Sequence, residues 1–242
     1  MKAPFNRLST LQCRQVLVTL VLMLPVLASA QAVCASDGQP RPVALAERFI
    51  NADCESCWRD PGTRQAKAGQ AVLDWVLPGS KGDNAPLSAV ASRDGFKRLQ
   101  SQGRDVPHTA SDYTHKITGL AGSRLRVARG LALSGYVGAS IELKPLPASA
   151  RGQEWTAWLA LVESLPKGTE GSPVARNLVR NVVQVSWNGS MAIALEQKRF
   201  FESRVMSVAS GANPDRLAVI GWVENSKGEV LVAAQSRCRP SR

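Results

Sequence analysis

The sequence lacks the short motifs that mark the common enzyme classes. It contains no nucleophile elbow, no phosphate-binding loop and no carboxylate pair of recognisable spacing, so hydrolase and nucleotide chemistry have no support. Its two histidines, His108 and His115, do not have the spacing of zinc ligands, even when combined with Cys54 and Cys57. Trp58 stands where a haem-attachment motif requires histidine. We therefore expect no metal and no cofactor.

Long apolar runs are scarce as well, and the clearest one lies near the N-terminus. Residues 16–27 form this run, which is shorter than the ~20 residues that cross a bilayer as a helix. Three basic residues precede it and Ala28-Ser-Ala30 follows it, which is the pattern of a secretory signal peptide. We expect residues 1–30 to be removed and the protein to be exported to the periplasm or secreted, without stable membrane insertion. An uncleaved membrane anchor is the alternative.

Acidic residues are fewer than basic ones, with 19 Asp and Glu against 30 Lys and Arg, a net charge of +11. The basic residues are scattered and are not interleaved with aromatic residues, as a nucleic-acid surface would require. We therefore expect no nucleic-acid partner. The charge indicates a solvated surface, with at most weak attraction to an anionic membrane or cell wall.

The cysteines are few but even in number once residues 1–30 are removed. Cys34, Cys54, Cys57 and Cys238 remain, and an oxidising compartment preserves disulfides. Three pairings are possible. We favour Cys54–Cys57, because the two are close in sequence, and a structural Cys34–Cys238 bridge, because chain termini often lie close together. A third redox thiol at position 34 or 238 is the alternative.

The first half of the chain predicts strands that alternate with helices. Apolar runs predict strands at Val43–Ile50 and Ala71–Leu77, and helices are expected at Arg59–Ala68 and Leu87–Gln102. This β-α-β-α order favours a parallel strand pair in an α/β layer.

After about residue 115 the sequence becomes rich in predicted strands. These are Arg124–Leu133, Gly138–Leu143, Glu154–Glu163, Leu178–Trp187, Met191–Phe200, Leu217–Glu224 and Val230–Gln235. Turns are expected at the Asn-Gly pair 188–189 and at Asn225-Ser-Lys-Gly228. Seven short strands at this spacing predict an antiparallel, sandwich-like module.

Several segments resemble exported thioredoxin-like proteins catalogued as a domain of unknown function. The segments are Glu47-Arg-Phe-Ile-Asn-Ala-Asp-Cys54-Glu-Ser-Cys57, Trp155-Thr-Ala-Trp-Leu-Ala160, Asn177-Leu-Val-Arg-Asn-Val-Val183, Trp187-Asn-Gly189 and Gly228-Glu-Val-Leu-Val-Ala-Ala-Gln235. The resemblance implies an α+β protein with a thioredoxin-like α/β unit at residues 31–115 and a β-rich, sandwich-like module at residues 116–242. The chain departs from the family after Cys57 and lacks its Tyr-Thr-Pro-Gln segment. Pro107 is the candidate for the missing cis-proline.

The C-x-x-C pair predicts thiol–disulfide exchange with protein thiols or disulfides. Cys54 would attack as a thiolate stabilised by a helix N-terminus, and Cys57 would resolve the mixed disulfide. Glu47 would shuttle the proton of Cys57 if its side chain faces the pair, and is otherwise a solvent-facing strand residue. The acids Asp53 and Glu55 favour a reducing couple. The alternative is a non-enzymatic binding or assembly protein in which Cys54–Cys57 is a structural disulfide.

Overall fold

Two β-sheets make up most of the protein in the computed structural model, which describes residues 34–238. The strands are β1 (Cys34–Ala35), β2 (Ala44–Asn51), β3 (Gln70–Leu77), β4 (Ala110–Lys116), β5 (Arg124–Leu133), β6 (Tyr136–Lys144), β7 (Glu154–Leu165), β8 (Arg176–Asn188), β9 (Phe200–Ser207), β10 (Leu217–Asn225), β11 (Val230–Gln235) and β12 (Arg237–Cys238). Three short α-helices lie among them within this range: α1 (Glu55–Arg59), α2 (Asp94–Ser101) and α3 (Gly189–Ala194). The sheets have the strand orders β11-β10-β7-β8-β3-β2-β4 and β12-β1-β5-β6-β9.

The expectation of a thioredoxin-like α/β unit is wrong. Strands β2 and β3 are parallel, as predicted, but β3 also pairs with β8 at Asp74 and Leu178. Strands from both sides of residue 115 therefore lie in one seven-stranded sheet. Local periodicity predicts the parallel pair but not the distant strand that lies beside it. The resulting architecture is mostly β and sandwich-like.

The seven-stranded sheet curls so that its two edges approach each other. Strand β4 forms one edge and β11 the other. Immediately after β4, the N–H of Thr118 donates to the carbonyl of Val230 at 3.1 Å, and that of Gly119 donates to the carbonyl of Leu231 at 2.8 Å. The concave side, which we call the inner face, holds the buried Leu99 of α2 and two stacked aromatic pairs, Phe49–Trp75 and Trp158–Trp222.

The opposite face of the same sheet is covered in two parts. The five-stranded sheet packs on β7, β8 and β10, where Val127 and Ile141 meet Trp155 and Val219. Over β2 and β3 the cover is α1, whose Trp58 packs with Ile50 and Val76. We call this second part the α1 face. Because alternate strand residues point to opposite faces, β2 and β3 contribute side chains to both cores.

Several predicted strands are confirmed, whereas one predicted helix forms over only half of its length. The strands predicted at Arg124–Leu133 and Val230–Gln235 have those bounds, and the Asn225–Gly228 turn joins β10 to β11. The helix predicted at Leu87–Gln102 is limited to α2, after a 3₁₀ turn at Ser88–Val90.

Two local predictions are wrong. No helix forms after residue 59 in the stretch to Ala68, because Pro61-Gly62 stops it, and α1 lies earlier. The strand predicted at Met191–Phe200 does not form: residues 191–199 are not a strand, and β9 begins only at Phe200. The side chain of Asn188 accepts a hydrogen bond from the N–H of Met191 at 2.9 Å and caps α3 instead of forming a hairpin turn.

The predicted signal peptide, residues 1–30, lies outside the described residues. Among residues 34–238, the helices are all too short or too polar to cross a bilayer.

Candidate active site at the Cys54–Cys57 disulfide

The structure contains two disulfides, Cys34–Cys238 and Cys54–Cys57, the pairing that the sequence analysis favours. Cys34 and Cys238 are directly opposed in the antiparallel β1–β12 pair, with Cα atoms 3.9 Å apart. This bridge joins segments 204 residues apart in sequence, whereas Cys54–Cys57 spans a separation of 3. Two disulfides are typical of proteins from oxidising, extracytoplasmic compartments.

The turn after β2 places Cys54 at the start of α1. The N–H of Cys54 donates to the carbonyl of Asn51 at 3.0 Å, which reverses the chain as the strand ends. Cys54 then acts as the N-cap of α1, and its sulfur accepts a hydrogen bond from the N–H of Cys57 at 3.3 Å. Both cysteines are partly exposed. A sulfur that already accepts a backbone N–H can be stabilised by the same group as a thiolate.

Helix α1 is held in place by contacts that do not involve the disulfide. The side chain of Trp58 is buried, and its Nε1–H donates to the carbonyl of Glu170 at 2.8 Å. The carbonyl of Trp58 accepts from Nη2 of Arg176 at 2.9 Å, and the same guanidinium lies 4.4 Å from the centre of the indole ring. The helix is therefore anchored to the loop before β8 and to the first residue of that strand.

A buried charge cluster lies beneath this anchor. Asp74, from the centre of β3, contacts Arg48 of β2 at 2.7 Å and Arg176 of β8 at 2.9 Å. Its carboxylate also accepts the N–H of Asn177 at 2.8 Å. Burial lowers the pKa of Arg176 and the charge of Arg48 lowers it further, against the opposing effect of Asp74. Two guanidinium groups thus share the carboxylate of Asp74, and the charge of Asp112 also raises the pKa of Arg176.

Beside the disulfide, Arg48 and Arg176 of this cluster line an open cleft of about 320 Å³. The cleft is lined by Cys57, by the arginines Arg48, Arg64 and Arg176, and by Asp60 and Asp112, among others. Of these residues Arg48 and Arg176 are buried, whereas Arg64, Asp60 and Asp112 are exposed.

The two acids nearest the cysteines are engaged elsewhere. Hydrogen bonds from Ser80 lower the pKa of Asp53, whose carboxylate accepts both the N–H and the hydroxyl of that residue at 2.8 Å. Glu55 forms an ion pair with Arg59 at 2.8 Å. Only Glu55 is paired with a cation, whereas Asp53 stays ionised beside neutral donors, so the electrostatic reason for expecting a reducing couple rests on Asp53.

Glu47 is not brought to the cysteines. Its side chain points to the inner face of the sheet, where Trp75 Nε1–H donates to it at 3.2 Å, whereas Cys57 packs on the α1 face. The proton-shuttle role therefore has no geometric basis, because the sheet separates the carboxylate from the thiols. The solvent-facing alternative is wrong too, since Glu47 is fully buried.

Glu47 instead belongs to a second buried charge cluster. Arg98 of α2 donates to both of its oxygens at 2.8 Å and contacts Glu224 at 2.6 Å. Burial alone would raise the pKa of Glu47, but the charge of Arg98 and hydrogen bonds from His115 and Arg98 lower it to about 2. The guanidinium of Arg98 also lies 5.0 Å from the ring centre of Trp158. This cluster ties α2 to the inner face.

The remaining predicted site residue, Pro107, lies in the loop before β4. In residues 34–238 the cis peptide bond is Lys144–Pro145 and not the bond before Pro107. His115 contacts Glu47 at 3.2 Å and so lies on the inner face, away from the disulfide. No group of His, Cys, Asp and Glu side chains within the described range could hold a metal ion.

The sequence patterns do not predict the arginines of the cleft. One sequence feature does point to two members of the buried charge cluster, Arg48 and Asp74. The apolar runs of β2 and β3 carry opposite charges, and Arg48 and Asp74 are directly paired in the parallel register. Arg176 and Arg64 carry no comparable signal, because β8 and the loop after α1 reach the site only through the tertiary fold.

No protein-family model matches the chain, and no curated protein matches it in sequence. The resemblance to exported thioredoxin-like proteins therefore stays a prediction.

Proposed function

We propose that this is an exported protein that exchanges disulfides with protein thiols through Cys54 and Cys57. The observation that carries the proposal is the position of the pair: partly exposed, at the start of an independently anchored helix, and beside a polar cleft. Export is part of the proposal and is supported by the two disulfides.

The exchange requires only the two cysteines and a partner with a thiol pair or a disulfide. In the reducing direction the Cys54 thiolate attacks one sulfur of the substrate disulfide, which breaks that bond and forms a mixed disulfide. The Cys57 thiolate then attacks the Cys54 sulfur, restores Cys54–Cys57 and releases the second substrate thiolate, which takes up a proton. A partner dithiol of another protein must supply the two electrons for the next cycle. The reverse sequence oxidises a substrate dithiol.

The fold should tolerate repeated reduction and reoxidation of Cys54–Cys57, because its stability does not depend on that bond. A loop closed by a sequence separation of 3 contributes only about 2 kcal/mol in the chain-entropy treatment. The anchors of Trp58 to Glu170 and Arg176 remain after reduction. Reduction should therefore free the thiols without releasing α1.

The alternative is a binding or assembly protein in which the disulfide is a clip. The observation that favours it is that α1 and the loop at residues 60–64 form one wall of the cleft, so a closed disulfide would fix the shape of a binding surface. This function would need no thiol chemistry.

Trapping the mixed disulfide tests the proposal. In a Cys57→Ser variant the intermediate on Cys54 cannot resolve, so a model protein disulfide should form a stable covalent adduct that dithiothreitol releases. Cys54→Ser should form markedly less adduct, because only the resolving thiol remains. Ser56→Ala keeps both cysteines and is the control for a substitution between them. The proposal is wrong if Cys57→Ser forms no adduct while folded.

A further inference from the structure

Strand β9 is an exposed edge strand of the five-stranded sheet. Within residues 34–238 it pairs on one side with β6 and with no strand on the other. Its eight residues contain no proline or lysine, and two large apolar side chains on the solvent side, Phe201 and Val205, are 50% and 74% exposed. Long edge strands with apolar side chains tend to pair with another chain unless charge, proline or a cover prevents it.

The sequence of β9 is complementary to itself. Around Ser203 the chain reads Phe201-Glu202-Ser203-Arg204-Val205. In an antiparallel pair of two identical strands with the two-fold axis at Ser203, Glu202 lies opposite the partner's Arg204 and Phe201 lies opposite the partner's Val205. Each contact occurs twice, as symmetry requires. Within one chain Glu202 and Arg204 already form an ion pair, so both charges are in place at the edge.

Neighbouring registers lose this match. An axis at Glu202 or at Arg204 places two like charges directly opposite each other, which destabilises a cross-strand pair. An axis between two residues is excluded, because residues opposed in an antiparallel pair point to the same face of the sheet. The register centred on Ser203 is the one that satisfies both the charged and the apolar side chains.

The far end of the strand does not block this pairing. The Nδ2 group of Asn181 donates to the carbonyl of Ser207 at 3.1 Å and approaches its hydroxyl at 2.9 Å. Pairing about Ser203 needs only residues 200–206, which end before this contact.

We propose that a second copy of this chain pairs with β9 about a two-fold axis at Ser203. The two five-stranded sheets then form one continuous ten-stranded sheet across the interface, and the paired Phe201 and Val205 side chains lose much of their exposure. The interface lies on the five-stranded sheet, whereas the Cys54–Cys57 pair lies on the seven-stranded one.

Exchanging the charges of β9 tests the register. The monomer–dimer equilibrium is measured by light scattering after size-exclusion chromatography over a range of protein concentrations. Arg204→Glu replaces two attractive pairs by two repulsive ones and should raise the dimer dissociation constant by roughly tenfold. The double variant Glu202→Arg with Arg204→Glu restores opposite charges and should restore the dimer. Lys167→Glu, an exposed loop variant with the same charge change, should leave the dimer unaffected.

A wild-type protein that stays monomeric at every concentration would overturn the proposal. So would a dimer that Arg204→Glu leaves intact, or a loss of dimer that the double variant does not restore in folded protein.

Cross-linking gives a second measurement that does not depend on charge. In a Cys13→Ser background with the two native disulfides intact, Ser203→Cys places two thiols face to face on the axis and should form a disulfide-linked dimer under mild oxidation. Ser207→Cys, on the same strand but off the axis, should not. Equal linkage by both variants, or none by Ser203→Cys, would contradict the register.

Discussion

Replacing Glu47 by glutamine should destabilise the protein strongly at neutral pH. The carboxylate is fully buried and has a pKa of about 2 instead of 4.5. This difference corresponds to about 3 kcal/mol of stabilisation of the charged form in the folded protein. The substitution also leaves Arg98 with Glu224 as its remaining carboxylate partner in the described structure. Removing one member of a buried ion pair typically costs roughly 3–5 kcal/mol, so the two arguments agree.

The pH dependence of this effect has a definite sign. Because folding lowers the pKa of Glu47, its contribution is present above about pH 4.5 and is lost as the pH falls toward 2. Urea unfolding of the wild type and of Glu47→Gln should therefore differ by about 3 kcal/mol at pH 7 and converge in acid. Glu55→Gln, which removes an exposed i,i+4 ion pair, is the control and should cost no more than about 0.5 kcal/mol. A difference under about 1 kcal/mol at pH 7, or parallel acid curves, would refute the reasoning.

Four further variants, two of them double substitutions, test contacts that stabilise the fold, each by urea unfolding. Asp74→Asn removes the negative charge that its two buried arginine partners share, and should lower the free energy of unfolding by about 3–5 kcal/mol. A loss under about 1 kcal/mol would show that these ion pairs do not stabilise the protein in solution. Replacing both Cys34 and Cys238 by alanine opens a loop with a sequence separation of 204 and should lower the free energy of unfolding by about 5 kcal/mol. Replacing both Cys54 and Cys57 should lower it by only about 2 kcal/mol, because that loop is short. Equal losses would contradict the dependence on loop length. Gly221→Ala places a Cβ 2.5 Å from a methyl of Val127 across the sandwich and should cost about 1–3 kcal/mol; a neutral effect would mean that the sheets separate easily there.

The strands with strong local patterns were predictable from the sequence. Strands β5 and β11 have the predicted bounds because apolar runs bounded by turn residues fix where a strand starts and ends. The Asn-Gly pair at 188–189 was ambiguous, since asparagine favours both hairpin turns and helix N-caps. In the folded protein Asn188 is the N-cap of α3.

The candidate site was only partly predictable, for reasons of topology. The cysteine pair and its position after a strand follow from spacing. The face on which Glu47 lies does not, because alternation tells which residues share a face but not which face receives α1. Arg176 is 102 residues from Asp74 in sequence, and no local pattern predicts that contact.

Disulfide exchange at Cys54–Cys57 can be measured by equilibrating the folded protein with glutathione buffers of increasing reducing strength. The thiols are trapped by alkylation and assigned by peptide mapping, while circular dichroism follows the fold. We expect Cys54 and Cys57 to be reduced and reoxidised reversibly, with the fold unchanged and Cys34–Cys238 intact. A Cys54–Cys57 bond that yields only when the protein unfolds would contradict this expectation and leave the disulfide as a structural clip.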